Sequence, residues 1–210
     1  MIKIPFYEFT DKNAIQILAT QSRRIDITPY TLTKSHIELG RYLIYQICDE
    51  FELEDCKIKH PQGIKTGRKI KNEEDIIILC CMRSGLYLTE GLRTILQNSP
   101  TYLINPDKEF GLSDSKYNIF GDLSDKIVIV VDAVINTGAT VKKLLDQLSN
   151  KNPKKLIVVC LVMPIPTAEL FKKNYPDIIF YVARTSNNQY VGRGITDTGN
   201  RLFGTFNQEK

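Results

Sequence analysis

Hydrophobic positions along the chain fall into two rhythms. Four uninterrupted apolar runs, Ile76–Met82, Ile127–Val131, Leu156–Met163 and Ile178–Ala183, are strand-length and largely β-branched. Runs apolar on both faces predict parallel strands covered by helices on each side. A weaker run, Thr101–Ile104, predicts a fifth strand. Between the runs the period changes. Leu88, Leu92, Ile95 and Leu96 recur at i, i+4, i+7 and i+8, and Val141, Leu144, Leu145 and Leu148 at i, i+3, i+4 and i+7. Each set predicts a helix with a core-facing stripe. Ala168, Leu170 and Phe171 mark a shorter helix before Pro176, and Ile37, Ile44, Ile47 and Cys48 fit a helix from about Thr33 to Glu50. Strand and helix alternate from residue 76 to 183, which predicts an α/β fold with a parallel central sheet flanked by helices. Polar, glycine-containing residues 51–75 and 105–125 read as loops or small hairpins. About the last 25 residues, with Gly192, Gly194, Gly199 and Gly204, read as an ordered loop.

The length of 210 residues fits a single domain, 1–210, whose core spans about 76–183 behind an N-terminal helical elaboration of about 1–50. Charge adds little. Lys+Arg number 28 against 24 Asp+Glu, a net +4, too small for a protein that coats nucleic acid but compatible with small anionic substrates. The basic stretch 57–71 reads as a solvated face, so a nucleic-acid partner is not expected. Cysteines 48, 56, 80, 81 and 160 are odd in number and show no Cys-x-x-Cys spacing, which points to a reducing, cytoplasmic setting. The longest uninterrupted apolar run, Leu156–Met163, is far short of the ~18–20 residues of a membrane span. The first residues carry no signal-peptide pattern.

In open α/β sheets, ligands bind beyond the carboxyl ends of the strands. Three stretches there carry chemistry. In the first, a buried strand delivers Asp132, and Ala133, Val134, Ile135, Asn136, Thr137, Gly138, Ala139 and Thr140 lead into the helix of Val141–Leu148. Unpaired N–H groups at that helix start suit a phosphate, and Asp132 suits ribose hydroxyls. The alternative is an Asp at a strand end with Thr140 as a plain helix cap. A Gly-Lys-Ser/Thr loop is absent. In the second, Arg83-Ser84-Gly85 follows the Ile76–Met82 run. The arginine fork suits phosphate oxygens; the alternative is a cap on loop carbonyls. The third runs from Tyr190 to Thr205, where a glycine-rich backbone could face a planar ring. The alternative is a surface loop held by Leu202 and Phe203. His36 and His60 lie outside all three and are expected on the surface.

Together the three stretches resemble the type I phosphoribosyltransferases, and among them the uracil phosphoribosyltransferase family. Asp132-Ala133-Val134-Ile135-Asn136-Thr137-Gly138-Ala139-Thr140 is similar to that family's Asp-Pro-Met-x-Ala-Thr-Gly-Gly-Ser/Thr loop for 5-phosphoribosyl diphosphate (PRPP). Met82-Arg83-Ser84-Gly85-Leu86 is similar to its pyrophosphate-holding Leu-Arg-Ala-Gly-Leu. Gly194-Ile195-Thr196-Asp197-Thr198-Gly199-Asn200-Arg201-Leu202-Phe203-Gly204-Thr205 resembles its uracil-loop signature Gly-Leu-Gly-Asp-x-Gly-Asp-Arg-x-Phe-Gly-Thr, the most specific of the three matches. The likeness covers roughly residues 20–205, with the base-binding loop at about 188–205. Departures are Ala139, Thr196 and Asn200 in place of Gly, Gly and Asp, and Arg193 in place of Pro. The family's Tyr-Arg pair is missing from residues 103–108, where Lys108 is the nearest cation.

The resemblance implies transfer of phosphoribosyl from PRPP to uracil, giving UMP and pyrophosphate, in pyrimidine salvage. It implies PRPP binding by Arg83, Ser84, Gly85, Asp132, Ala133, Val134, Asn136, Thr137, Gly138, Ala139 and Thr140. Tyr190, Val191, Gly194, Thr196, Asp197 and Thr198 would line the base pocket. Asp132, Arg83 and Asp197 would carry catalysis. Mg2+ would offset the leaving group's charge, with Asp197 contacting it through water. No general base is evident, so positioning carries most of the rate. At least a homodimer is implied. Two other readings stand beside it: a nucleotide-binding regulator without turnover, motivated by the missing Arg, and transfer to another base, motivated by Thr196 and Thr198.

Overall fold

A computed structural model of the chain describes residues 5–105, 122–188 and 192–205. In chain order its elements are β1 (Phe6–Glu8), α1 (Asn13–Arg23), α2 (Pro29–Ile47), β2 (Leu53–His60), β3 (Gly63–Ile70), β4 (Ile76–Cys81), α3 (Leu86–Leu92), β5 (Thr101–Ile104), β6 (Ile127–Val134), α4 (Ala139–Ser149), β7 (Lys155–Pro164), α5 (Ile165–Asn174), β8 (Ile179–Ser186) and α6 (Thr198–Phe203). Six strands form one sheet in the order β1-β8-β7-β6-β4-β5, with every neighbouring pair parallel. The strand expectations hold at all five apolar runs.

Alternation along the strands builds two cores. Leu79, Val128, Val130, Val158 and Cys160 face Leu144, Leu145 and Leu148 of α4 and Phe171 of α5. Ile78, Ile129, Val131, Ile157 and Val159 face Leu39, Leu43 and Ile44 of α2 and Leu88 and Leu92 of α3. Such two-sided burial is why these runs contain no alternating polar residues. Burial also pushes the Cys160 thiol well up and Cys80 up to about 11, so both are inert packing groups. Helices α2 and α3 meet backbone to backbone. A Cβ on Gly40 would lie 2.3 Å from the Leu88 oxygen, and one on Gly91 would lie 2.3 Å from the Ile37 oxygen. That contact fixes α3, whose start carries the Arg83 turn, against α2.

The structure differs from the sequence expectations in four places. Helix α2 begins at Pro29, not near Thr33, because Thr28 accepts a bond from the Thr31 amide and Pro29 occupies the first turn. Strand β1 and helix α1 were not foreseen. The strand has three residues at the sheet edge, and only Ile15 and Ala19 of α1 are buried, too few to show a period. The C-terminal stretch is not only loop: Asp197 accepts from the Asn200 amide at 2.6 Å and caps α6. His36 is not a surface residue but is 4% exposed in α2, whereas His60 is exposed in β2. Residues 51–75 do contain a hairpin, β2–β3, paired antiparallel from Leu53↔Ile70 to His60↔Gly63. Of residues 105–125, only Asn105 and 122–125 fall among the described residues.

Candidate active site

The three chemical stretches converge beyond the carboxyl ends of β4 and β6. Leaving β4, the chain passes a cis Met82–Arg83 peptide and turns, the Gly85 amide donating to the Cys81 oxygen at 2.9 Å. A Cβ on Gly85 would lie 2.6 Å from the Val131 oxygen and 2.8 Å from the Cys81 oxygen. Glycine is therefore what lets this turn lie against β6. The next contact follows directly. Ser84 Oγ donates to Asp132 Oδ1 at 2.5 Å, and the Val134 amide approaches the same oxygen at 3.4 Å.

The loop after β6 is held from below. Thr167 Oγ1 donates to the Asn136 oxygen at 2.5 Å, and the Ile135 amide donates to the Val162 oxygen at 3.1 Å. Gly138 has φ +76° and takes the N-cap position of α4, so Thr140 sits inside the helix and is not its cap. A Cβ at Gly138 would also lie 2.4 Å from Phe171 Cε2. No side chain caps α4; the nearest substitute is Thr137 Oγ1, a long 3.4 Å from the Ala139 amide. An uncapped helix start behind a glycine, with Thr137 exposed beside it, has the donors that a phosphate requires.

Arg83 ties the first stretch to the third. Its Nη1 donates to Thr205 Oγ1 at 3.0 Å and its Nη2 to Asn200 Oδ1 at 2.7 Å, with Asp197 Oδ1 3.9 Å away. These bonds go to side chains of the C-terminal stretch rather than to loop carbonyls. Asn200 is a neutral acceptor, so the nearest formal countercharge is the more distant Asp197. That leaves Arg83, half exposed, electrostatically available to an anion. Within the stretch, Thr196 Oγ1 donates to the Arg193 oxygen at 2.7 Å, closing the turn at Gly194–Thr196, and Asn200 Nδ2 reaches the Gly194 oxygen at 3.3 Å. Phe203 stacks on Tyr87 of α3 with centroids 5.5 Å apart, and Leu202 is buried. The surface-loop alternative thus described real anchors, but they hold a helix over the site. Tyr190, Val191 and Lys108 lie outside the described residues.

Between this helix and α1–α2 lies a cavity of about 80 Å³, lined by Ala133, Val134, Thr196, Thr198, Arg201 and His36 among others. Burial, with a smaller push from the Arg201 charge, lowers the His36 pKa to about 3, so the imidazole is neutral. Sequence reasoning missed His36, Arg23, Arg184 and Arg201 as lining residues. For His36 a signal existed: it falls on the buried line Leu32, His36, Leu39, Leu43 of α2. A larger cavity, about 310 Å³, opens at the opposite end of the sheet. Four of its charges are paired, Lys155 with Glu50 and Lys154 with Glu52, each at 2.9 Å.

Among the described residues no cluster of three or more His, Cys, Asp or Glu could cage a metal ion. Asp132 and Asp197 stand singly, each with Oδ1 already engaged. That donor set fits Mg2+, which keeps water and substrate phosphate oxygens and takes one or two carboxylates. It does not fit a resident structural metal.

A family model described as uracil phosphoribosyltransferase matches residues 9–205. The uracil phosphoribosyltransferase of Mycoplasma mobile is 27% identical over 175 residues, covering 80% of this chain and 84% of that protein. That of Thermococcus kodakarensis is 26% identical over 207 residues, covering 94% and 90%. Among solved structures, the AQ2163 protein from Aquifex aeolicus superposes with a TM-score of 0.75 at 20% identity, over 95% of this chain and 99% of that one. That superposition speaks for the fold.

Proposed function

The chain belongs to the uracil phosphoribosyltransferase family, and from that premise we propose how its residues perform the transfer. It is a phosphoribosyltransferase that moves the phosphoribosyl group of PRPP onto uracil, yielding UMP and pyrophosphate. One observation carries the site assignment. Adjacent residues Arg83 and Ser84 bond in two directions, to Asn200 and Thr205 of the C-terminal helix region and to Asp132 of β6. A single turn therefore joins the stretches assigned to pyrophosphate, ribose and base.

The 5-phosphate sits on the amides at the start of α4, with Asn136, Thr137, Gly138, Ala139 and Thr140 around it. Asp132, oriented by Ser84, holds the ribose hydroxyls. Arg83 binds the departing pyrophosphate, whose charge grows as the anomeric C–O bond breaks. Ser84 and Gly85 shape that turn, and Ala133 and Val134 face the base. Asp197 caps α6 and so sets the loop from Gly194 to Thr198 over the pyrimidine. Mg2+, when bound, supplies charge neutralisation at the pyrophosphate, with Asp132 and Asp197 as the nearest protein carboxylates. The chain acts as a homodimer or larger homo-oligomer in the cytoplasm. Five free cysteines accord with that setting, and no described helix is long and apolar enough to cross a membrane.

The test is a chromatographic assay of purified protein with PRPP, Mg2+ and uracil. UMP is the expected product. Absence of any nucleotide product across a panel of pyrimidines, while UMP binding persists, would replace the reading with that of a nucleotide-binding regulator.

A further inference from the structure

Three arginines converge on the cavity beside the base-facing segments, and no carboxylate lines it. Arg23 comes from α1, Arg184 from β8 and Arg201 from α6. Arg201 is the one drawn inward. It is partly buried, and burial alone lowers its pKa, with no anionic neighbour pulling the other way. Its Nη2 donates to the Arg24 oxygen at 2.6 Å, and Arg23 Nε donates to the Ala19 oxygen at 3.2 Å. Among the described residues neither Arg201 nor Arg23 forms an ion pair, whereas their neighbour Arg24 is paired with Asp26 at 2.5 Å. The two carboxylates of the site are engaged elsewhere through Oδ1, Asp132 with Ser84 and Asp197 with the Asn200 amide. A cation drawn out of water without a counterion is costly. Nε and Nη1 of Arg201 nevertheless stay accessible, since the buried unpartnered side-chain atoms among the described residues are His36 Nδ1 and Thr89 Oγ1.

The reaction itself supplies an anion. To bond to the anomeric carbon, a ring nitrogen of the pyrimidine must give up its proton. The pocket offers no base for that step. The chain has two histidines: His36, whose pKa is lowered to about 3, and His60, exposed in β2. A nearby positive charge favours the deprotonated form of an acid. Fixed cations therefore ease the proton's loss without having to accept it.

We propose that Arg201, supported by Arg23 and Arg184, stabilises uracil as its N1 anion, so that a carboxylate-free arginine wall replaces a general base. This rests on reading the cavity as part of the uracil pocket. In the step, the N1–H bond breaks and the proton passes to water. The electron pair left on N1 forms the bond to the anomeric carbon, while the C–O bond breaks and its pair leaves with pyrophosphate. The arginines keep their protons throughout.

The pH dependence belongs to the base. Charged or titratable side chains on the cavity wall are Arg23 on α1, His36 on α2, Arg184 on β8 and Arg201 on α6, and β6 contributes Ala133 and Val134. The arginines stay charged and His36 stays neutral over the range assayed.

The experiment measures single-turnover rates with saturating PRPP, Mg2+ and base from about pH 6.5 to 9.5. It compares uracil with 5-fluorouracil, whose ring N–H is more acidic, in wild type, Arg201→Gln, Arg201→Lys and Arg23→Gln. In R201Q the uracil rate should fall about tenfold at pH 7, its rising limb should move up by about one pH unit, and the deficit should close toward pH 9.5. With 5-fluorouracil the deficit at pH 7 should be less than about threefold, R201K should recover most of the loss, and R23Q should shift the limb the same way by less. A loss in R201Q that is equal at every pH and for both bases reports a displaced α6 and overturns the proposal. So does R201Q at the wild-type rate. Faster wild-type turnover of orotate than of uracil also overturns it, by assigning the wall to a carboxylate-bearing pyrimidine. If R201Q does not fold, R23Q decides, because the bond it loses lies within its own helix, and an unmoved limb there overturns the proposal. Wild type that makes no nucleotide from either base overturns the reading of the site and this proposal with it.

Discussion

Burial of His36 has a consequence for stability that can be worked out before any substrate is added. The perturbation is a fall in pH from 7.5 to 5.0. Unfolded, this imidazole titrates near its ordinary value of 6.5; folded, its pKa is lowered to about 3 by burial and secondarily by Arg201. Between those values the unfolded chain holds a proton that the folded chain does not. Stability therefore rises with pH across the window and is lost as pH falls through 6.5. Integrating the linkage relation to pH 5.0 gives a loss of about 2 kcal/mol from this one group. The figure depends almost wholly on the unfolded value, because at pH 5.0 the folded ring stays neutral for any pKa well below 5. Other shifted groups act elsewhere. Carboxylates lowered by cationic partners, such as Asp26 beside Arg24 and Glu52 beside Lys154, lose their contribution below about pH 4.5. Thiols and phenols raised by burial, such as Cys160 and Tyr181, matter only above about pH 8.5. The assay is urea unfolding of wild type and H36L at pH 7.5, 6.5, 5.5 and 5.0. Wild type should lose about 2 kcal/mol that H36L keeps. Parallel losses in the two proteins would refute the assignment of the buried neutral ring.

Three further outcomes follow from the site. Gly138→Ala places a Cβ 2.4 Å from Phe171 Cε2 at a φ of +76°, and should destabilise the fold by about 2–4 kcal/mol and raise the PRPP KM. Thermal denaturation should show Phe171→Leu in the same background relieving part of that loss. Arg83→Gln removes the fork that reaches Asn200 and Thr205, and should lower kcat about 100-fold while speeding proteolysis within residues 192–205, read by mass spectrometry. Chelation of Mg2+ should abolish turnover but leave the melting temperature of the substrate-free protein unchanged, because no described carboxylate cluster holds a metal in the folded chain.

The central sheet was legible because its strands are buried on both faces. Ile127–Val131 and Leu156–Met163 have no solvent side, so no polar residue interrupts them, and consecutive strands joined through α4 and α5 lie side by side and parallel. Strand β1 was not legible for the opposite reason. Its three residues pair only with β8, and stacking of Tyr7 on Tyr181 at 4.8 Å, which anchors it, depends on chain 174 residues away. Helix α6 hid behind its glycines. Gly199 inside it packs close to Arg83 Nε, 3.4 Å from where a Cβ would stand, so composition reported a loop where the fold needed a close approach.

The candidate site divides along the same line. Asp132, Gly138 and Arg83 were readable because a strand exit, a helix start and a short turn are local events, and the chemistry each requires is written within a few neighbouring residues. His36 was readable as buried, from the line Leu32, His36, Leu39 and Leu43 of α2, but not as a cavity residue, since its cavity is closed by Thr196 and Thr198 from the far end of the chain. The same remoteness makes it separable. Asp132 is bonded to Ser84, and Arg83 to Asn200 and Thr205, so substitutions there disturb several contacts at once. No bond within the protein is lost at Nδ1 when His36 becomes Leu. A loss of pH dependence in the stability of that variant therefore reports the buried neutral ring rather than a rearranged scaffold.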